Sequence, residues 1–262
     1  MRKIKLSIII VNYQSRAYLE KCLASIFAKI NLTSSYEIIV VNNDIKSELD
    51  GLNILFPTIK IIQNSKNNGF GSANNLGAKE ARGEVLLFLN PDTEIITQNI
   101  SSVLAEFENN QALGILGSRI ITTDGMVQSW IAGAKIDLLS VLGNNFKKTK
   151  NKQCWQNTKQ TEVFWVAGTA MFITEKLFGQ LGGFDEKFFM YFEDVDLCNR
   201  AQALNKKVIY FPDFSVLHHS GKSFLAKKKQ KKCYYLSQDY YFRKHLGFFQ
   251  ATLLKLLRFF SF

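Results

Sequence analysis

The sequence predicts an α/β architecture, a mostly parallel sheet flanked by helices, and three observations carry that expectation. Residues 6–11, 37–41, 59–63 and 85–89 are short, β-branched runs bounded by polar turns. Between the first two, residues 16–28 set Leu19, Leu23, Ile26 and Phe27 at helical spacing, the pattern of parallel strands joined by a crossover helix. A chain of 262 residues, 47% hydrophobic and 13% aromatic, is long and apolar enough to bury one large core. We expect one domain over residues 1–223 and a basic, amphipathic helical tail over 224–262.

Charge is segregated along the chain. The formal net charge is +11, yet residues 206–262 hold twelve Lys or Arg against Asp213 and Asp239, so the body is close to neutral and the basic excess lies in the last fifth. The four cysteines, at 22, 154, 198 and 233, have no paired spacing and read as free thiols in a reducing compartment. The apolar run after the basic first five residues is too short for a signal peptide and gives way to Asn12-Tyr13, so it reads as the first strand. No run of 18 apolar residues occurs, and a spanning helix is not expected.

In a parallel sheet, ligands sit beyond the carboxyl ends of the strands. The residues at those ends are Asn12-Tyr13, Asn42-Asn43-Asp44, residues 64–71, and Asn90-Pro91-Asp92-Thr93-Glu94, all polar and mostly small. Asn67-Asn68-Gly69-Phe70-Gly71-Ser72-Ala73-Asn74 opens a helix with a Gly-rich turn. Asn74 stands where a dinucleotide fingerprint needs its third glycine, and the turn follows the third strand, so a nicotinamide site is not expected. Asn90-Pro91-Asp92 reads either as a strand-to-helix turn with a capping acid or as a metal-binding turn.

The middle predicts a strand end at Gly117-Ser118-Arg119, a hairpin turn at Thr122-Thr123-Asp124-Gly125, a short helix over 136–142 and an exposed loop over 143–160. Residues 163–173 form two short strands about Gly168, and a helix starts at Lys176. Next comes Gly182-Gly183-Phe184-Asp185-Glu186, then Phe188, Phe189, Tyr191 and Phe192, then Glu193-Asp194-Val195-Asp196 opening a helix to Ala203. Three acids in its first turn suit the helix dipole, and they equally suit a general base shielded by aromatics. A strand at 207–211 and a second apolar run lead to His218-His219-Ser220-Gly221-Lys222-Ser223.

Together these stretches, spread over residues 6–223, resemble family 2 glycosyltransferases of the GT-A fold, in particular the bacterial rhamnosyltransferase-like branch that builds surface polysaccharides. The resemblance implies an inverting transfer from a nucleoside-diphosphate sugar, dTDP- or UDP-linked, to a saccharide acceptor. It makes Asp194 the catalytic base, with Glu193, Asp196, Tyr191 and Trp165 supporting it on the acceptor side. Asp92, in the Asn-Pro-Asp form of the Asp-x-Asp element, and His218, leading a His-x-x-Gly-x-Ser pattern, would hold Mg²⁺ or Mn²⁺ against the leaving diphosphate, with His219 facing the other side. Val11, Asn12, Asn42, Asn68, Ala73 and Asn90 would meet the donor nucleotide. Two departures stand out: Asn42 replaces the usual acid that accepts the N3–H of the base, a weaker acceptor, and Thr174-Glu175 stands where Arg-Arg is more usual.

Residues 245–262, wound at 100° per residue, group Gln250, Lys255, Arg258 and Ser261 on one side and Leu246, Phe249, Leu253, Leu256, Phe259 and Phe260 on the other. That helix either closes the core or lies on a membrane, and with the basic run 227–232 before it we expect the second. The expected location is the cytoplasmic face of a bacterial membrane, as a peripheral enzyme on an anionic surface with a lipid-linked acceptor. A binding module for nucleotide sugars or nucleic acid is the alternative. Against nucleic acid, Asp92, Glu193, Asp194 and Asp196 would repel phosphate unless a cation were present.

Overall fold

The computed structural model describes residues 4–30, 36–46, 49–138, 140–141, 154–219 and 227–260. The first half is the expected alternation: β1 (Leu6–Asn12), α1 (Arg16–Lys29), β2 (Tyr36–Asn42), α2 (Leu52–Leu55), β3 (Ile59–Gln63), α3 (Phe70–Lys79) and β4 (Val85–Leu89). Then come β5 (Thr93–Ile95), α4 (Ile100–Asn109), β6 (Leu113–Thr122), β7 (Ala132–Gly133), β8 (Thr161–Val163), β9 (Trp165–Val166), β10 (Ala170–Thr174) and α5 (Glu175–Gln180). The chain continues with α6 (Glu193–Ala203), β11 (Lys207–His218), α7 (Lys227–His245) and α8 (Phe248–Phe260).

One sheet of the order β3-β2-β1-β4-β10-β6-β11-β5, with β8 also on β11, organises the molecule. β1 to β4 are parallel, as are β6 and β11, while β10 runs antiparallel between β4 and β6. β1 is buried at every position and β4 likewise, which is why both read as unbroken apolar runs: each face of these central strands is covered. The chain leaves β1 toward β2 on one side and returns to β4 on the other, so β1 and β4 flank the point where the winding reverses. A crevice opens there, beyond Asn12 and Asn90.

Several sequence expectations are corrected. Gly117-Ser118-Arg119 lies inside β6, because β6 pairs with β10 on one side and β11 on the other. The stretch 163–173 belongs to three strands, since Trp165–Val166 leaves the main sheet to pair with β7. β11 runs through Pro212 with a register shift between Phe211 and Ser215, a bulge that removes the need for a proline N–H. Of the loop foreseen over 143–160, residues 143–153 lie outside the described residues, but Trp155 is core: its carbonyl accepts the Tyr210 hydroxyl at 3.1 Å and its ring meets Trp130. The hairpin turn at 122–125 forms as expected, with the Thr122 N–H donating to the Met126 carbonyl and Gly125 at φ 80°.

The basic tail is not detached. In α7, Tyr241 and Phe242 are fully buried, and the Phe188 and Phe192 rings pack on Tyr240 and Tyr241 at 4.8 and 5.4 Å. α8 folds back on α7: Ala251 and Leu254 are buried, and the Arg258 guanidinium donates to Gln238 and Asp239 of α7 at 2.7 and 2.9 Å. Arg258 thus faces inward, against the expected polar stripe, because α7 offers it a carboxylate. Phe248, Phe249 and Leu256 remain exposed. The foreseen boundary near residue 223 and the side chains of Phe259 and Phe260 lie outside the described residues, among which no helix is long and apolar enough to cross a membrane.

Candidate active site

A cavity of about 650 Å³ lies over the carboxyl ends of β1, β2 and β4. Val11, Tyr13 and Ser15 come from the end of β1, Asn43 from that of β2, and Asn90, Pro91 and Asp92 from that of β4. Asn67, Gly69 and Phe70 begin α3. Gln128 and Trp130 follow the β6 hairpin, and residues 167–169 precede β10. Residues 189–191, Glu193, Asp194, His218 and Lys229 close the other side.

The loop that carries the acids is held by backbone. Gly69 has φ 101°, and a Cβ there would stand 2.2 Å from the Phe189 carbonyl, so only glycine lets α3 approach. That approach allows the Phe70 N–H to donate to the same carbonyl at 3.0 Å. The asparagines of this stretch act as braces: Asn67 accepts from the Gly69 N–H, Asn74 donates to the Phe70 carbonyl, and Asn75 both donates to and accepts from Phe184. Tyr191 and Phe192 then sit at φ 71° and 68°, a left-handed pair that turns the chain sharply into α6. Gln14 and Trp130 are left-handed too, so backbone strain gathers around this cavity.

Asp194 leaves that turn with Oδ2 accepting the Gly168 N–H at 2.9 Å and Oδ1 accepting the Val195 N–H at 2.8 Å. Burial pushes its carboxyl above the usual range, and these two hydrogen bonds hold the rise in check. Glu193 is pushed well above its ordinary value by burial and then by the Asp194 charge. Its Oε2 is buried without a hydrogen-bond partner among the described residues. The arrangement is a carboxylate basic enough to take a proton beside a carboxyl that resists ionising.

In the same cavity, His218 Nε2 lies 3.2 Å from Asp92 Oδ1, and its Nδ1 meets Gln128 Oε1 at 2.7 Å. The His219 N–H donates to the Asp92 carbonyl, and its ring turns away to Glu94 Oε1 at 2.6 Å. An oxygen from the turn before β5 and an imidazole nitrogen at the end of β11 fit a divalent cation whose remaining ligands would come from a diphosphate and water. Among the described residues no group of three or more His, Cys, Asp or Glu is arranged to hold a metal ion.

The sequence-predicted residues divide. Val11, Asn90, Asp92, Tyr191, Glu193, Asp194 and His218 line the cavity. Asn12, Asn42, Asn68, Ala73, Trp165 and Asp196 do not. Asn42 is fully buried; its side-chain oxygen accepts from Asn12 Nδ2 and the Asp44 N–H, and its side-chain amide donates to Gln63. Ala73 is core beside Val11, Ile39 and Val41, and Trp165 is buried against Gly133. Asp196 points the opposite way, into Arg200, Lys244 and His245. Asn43 and Asn67, bonded to each other at 2.9 Å, line the wall that Asn42 does not reach. Trp130 and Lys229 were missed: one stands alone in a hairpin, the other in a lysine run that resembles a solvated surface.

The sequence model of the family described as Glycosyl transferase family 2 matches residues 7–178, and that of Glycosyl transferase family group 2 matches residues 139–262. The chain belongs to glycosyl transferase family 2. Within that family it is similar to an N-acetylglucosaminyl-diphospho-decaprenol L-rhamnosyltransferase of Mycobacterium tuberculosis, 28% identical over 283 residues that cover 97% of this chain and 89% of the relative. Rhamnosyltransferase WbbL of Escherichia coli is 26% identical over 235 residues, 84% and 86% of the two chains. Among solved structures, GalNAc-T7 with UDP, GalNAc and Mn²⁺ superposes at TM-score 0.66 with 17% identity over 82% of this chain, which spans 44% of that one. S. aureus TarS 1-349 in complex with UDP-GlcNAc does so at 0.60 with 18% identity, covering 89% and 65%. The family 2 chain therefore has the GT-A fold and is a rhamnosyltransferase-like glycosyltransferase.

Proposed function

We propose that this glycosyltransferase moves a sugar, rhamnose first among the candidates, from a dTDP- or UDP-linked donor to a hydroxyl of a lipid-linked saccharide, with inversion. The observation that carries the proposal is that Asp194 and the Asp92–His218 pair line one cavity. Asp194 takes the proton of the acceptor hydroxyl, whose oxygen attacks the anomeric carbon from the face opposite the diphosphate. The Gly168 and Val195 N–H groups fix the carboxylate for that attack. Asp92 and His218 would hold Mg²⁺ or Mn²⁺, which when bound neutralises charge on the departing diphosphate. Tyr13, Asn43 and Asn67 form the wall suited to the nucleoside. One displacement inverts the anomeric centre, and NMR of the product tests it: opposite configuration is expected, and retention contradicts the role of Asp194.

The exposed Phe248, Phe249 and Leu256 of α8, with exposed Leu236 and the lysines of α7, support a membrane-surface reading of the two helices, at the inner face where a lipid-linked acceptor would be presented. In this reading α7 and α8 work as part of the transferase unit. Phe248→Ser with Phe249→Ser is expected to release the protein from anionic vesicles; unchanged sedimentation contradicts it.

A further inference from the structure

The β6 hairpin brings one further side chain to the Asp92–His218 pair. His218 stands level with Thr122 in the parallel register of β11 on β6, at the foot of that hairpin. The returning arm is held by backbone: the Thr122 N–H donates to the Met126 carbonyl at 2.8 Å, and the Gln128 N–H donates to the Ile120 carbonyl at 2.9 Å. Gln128, half-buried, thereby reaches the cavity wall with its Oε1 2.7 Å from His218 Nδ1. An amide oxygen only accepts, so this contact puts a proton on Nδ1. A neutral ring with that proton keeps its lone pair on Nε2, which lies 3.2 Å from Asp92 Oδ1. Two acceptors meet favourably only with a cation between them. The His218 and Asp92 side chains are 12% and 17% exposed, so little water is at hand to separate them.

We propose that Gln128 is a positioning residue for the cation: its Oε1 fixes the Nδ1–H form of His218 and so leaves Nε2 as the ligand beside Asp92. The proposal rests on the reading of Asp92 and His218 as the pair that holds Mg²⁺ or Mn²⁺, and it adds what prepares the imidazole for that task. With the amide turned over, its N–H groups would meet Nδ1, and the ring proton would move to Nε2. That proton would then bond Asp92 where the cation belongs. A hydrogen bond to the remote ring nitrogen also fixes the plane of the ring and makes the ligating nitrogen a better donor. Asp92 is braced as well, since the His219 N–H holds its carbonyl at 2.9 Å. Gln128 acts through His218, and its place depends on the hairpin and not on the sheet that positions Asp92.

The test compares Gln128→Met, which keeps the length of the side chain and removes the acceptor, with Gln128→Glu, which restores an acceptor that has no N–H to donate. Mn²⁺ binding is followed by electron paramagnetic resonance at fixed dTDP and again at fixed UDP, with the signal of the nucleotide–Mn²⁺ complex in protein-free solution subtracted. Gln128→Met is expected to raise the Mn²⁺ dissociation constant about tenfold or more. Gln128→Glu should bring it back to the wild-type value or below. Adding Ser129→Glu to Gln128→Met places the same charge on an exposed neighbour that does not line the cavity, and should restore nothing. In the Mg²⁺- and dTDP-loaded wild type, ¹⁵N NMR should show the His218 ring with a proton on Nδ1 and none on Nε2, a readout that needs no variant to fold. Equal affinity in wild type and Gln128→Met overturns the proposal, as does a proton on Nε2 in the loaded protein. Failure of Gln128→Glu to recover binding makes the role structural, and recovery through Ser129→Glu makes it a general field; either result also overturns it. A wild type that binds no Mn²⁺ overturns it together with the reading of the Asp92–His218 pair. If the affinities follow the expected order while EDTA leaves nucleotide release unchanged, the cation's part in transfer fails and the role of Gln128 stands.

Discussion

Nε2 of His245 lies 2.7 Å from Oδ1 of Asp196, so the last turn of α7 closes on the helix that begins with Glu193 and Asp194. Lys244 reaches the same oxygen at 2.6 Å, and Arg200 takes Oδ2 at 2.7 Å while also donating to the Leu181 and Gly183 carbonyls. One fully buried carboxylate thus joins the tail, α6 and the turn before the acidic loop. Burial alone would raise the Asp196 carboxyl, but His245, Arg200 and Lys244 outweigh it and hold it below the ordinary aspartate value.

Asp196→Ala is expected to lower stability by roughly 2–3 kcal/mol, less than a fully buried pair would lose because its three partners keep some contact with water. The sign of the pH effect follows from the depressed value: the contribution is complete above the unfolded carboxyl pKa and is lost as pH falls through the lower folded value. Denaturant unfolding at pH 7 and at acid pH reads this, and the variant should show the smaller dependence. A variant with unchanged stability but a raised acceptor KM would return Asp196 to the acceptor site.

Glu193 has the opposite sign. Its folded pKa is raised, so above the unfolded pKa its ionisation is disfavoured by the fold and subtracts from stability. Glu193→Gln removes that term, and the thermal midpoint at neutral pH should rise by about 2–4 °C. The rate should fall as pH drops through the Asp194 value, which burial raises. Because Glu193 is the carboxyl that stays protonated there, the variant should keep that limb. A variant that melts earlier and moves the limb argues against this assignment.

Chelation tests the Asp92–His218 pair. EDTA should abolish nucleotide release, with Mn²⁺ or Mg²⁺ restoring it. Asp92→Asn should raise the cation concentration needed by about tenfold or more, since one hard oxygen ligand is weakened. An EDTA-insensitive rate removes Asp92 and His218 from that role.

The sheet was legible because its central strands are covered on both faces and so appear as unbroken apolar runs. α6 was legible from Glu193 to Ala203 because acids mark its first turn. The antiparallel inserts were not, since β8 and β9 are two or three residues long and their pairing is set by distant partners. At the site, Asp92, Asp194 and His218 were singled out by the family resemblance, since on spacing alone each also reads as a cap, a turn or a satisfied polar residue, and all three line the cavity. Asn42 could not be told from Asn43: strand neighbours face opposite sides, and which one reaches the cavity depends on the Asn12–Asn42–Gln63 chain of amides. Asp196 carries the same carboxylate as Asp194, yet two residues of helix turn it to the far side. Lys229 was hidden because a lysine run gives no sign of which member meets a cavity.

The account depends most on Asp194 as the base. Nucleotide release and donor binding measured on Asp194→Asn, which keeps the side-chain shape, test it most directly. A loss of about 10²–10⁴-fold or more in turnover with donor affinity unchanged is the expected result. Turnover near the wild-type rate would contradict it.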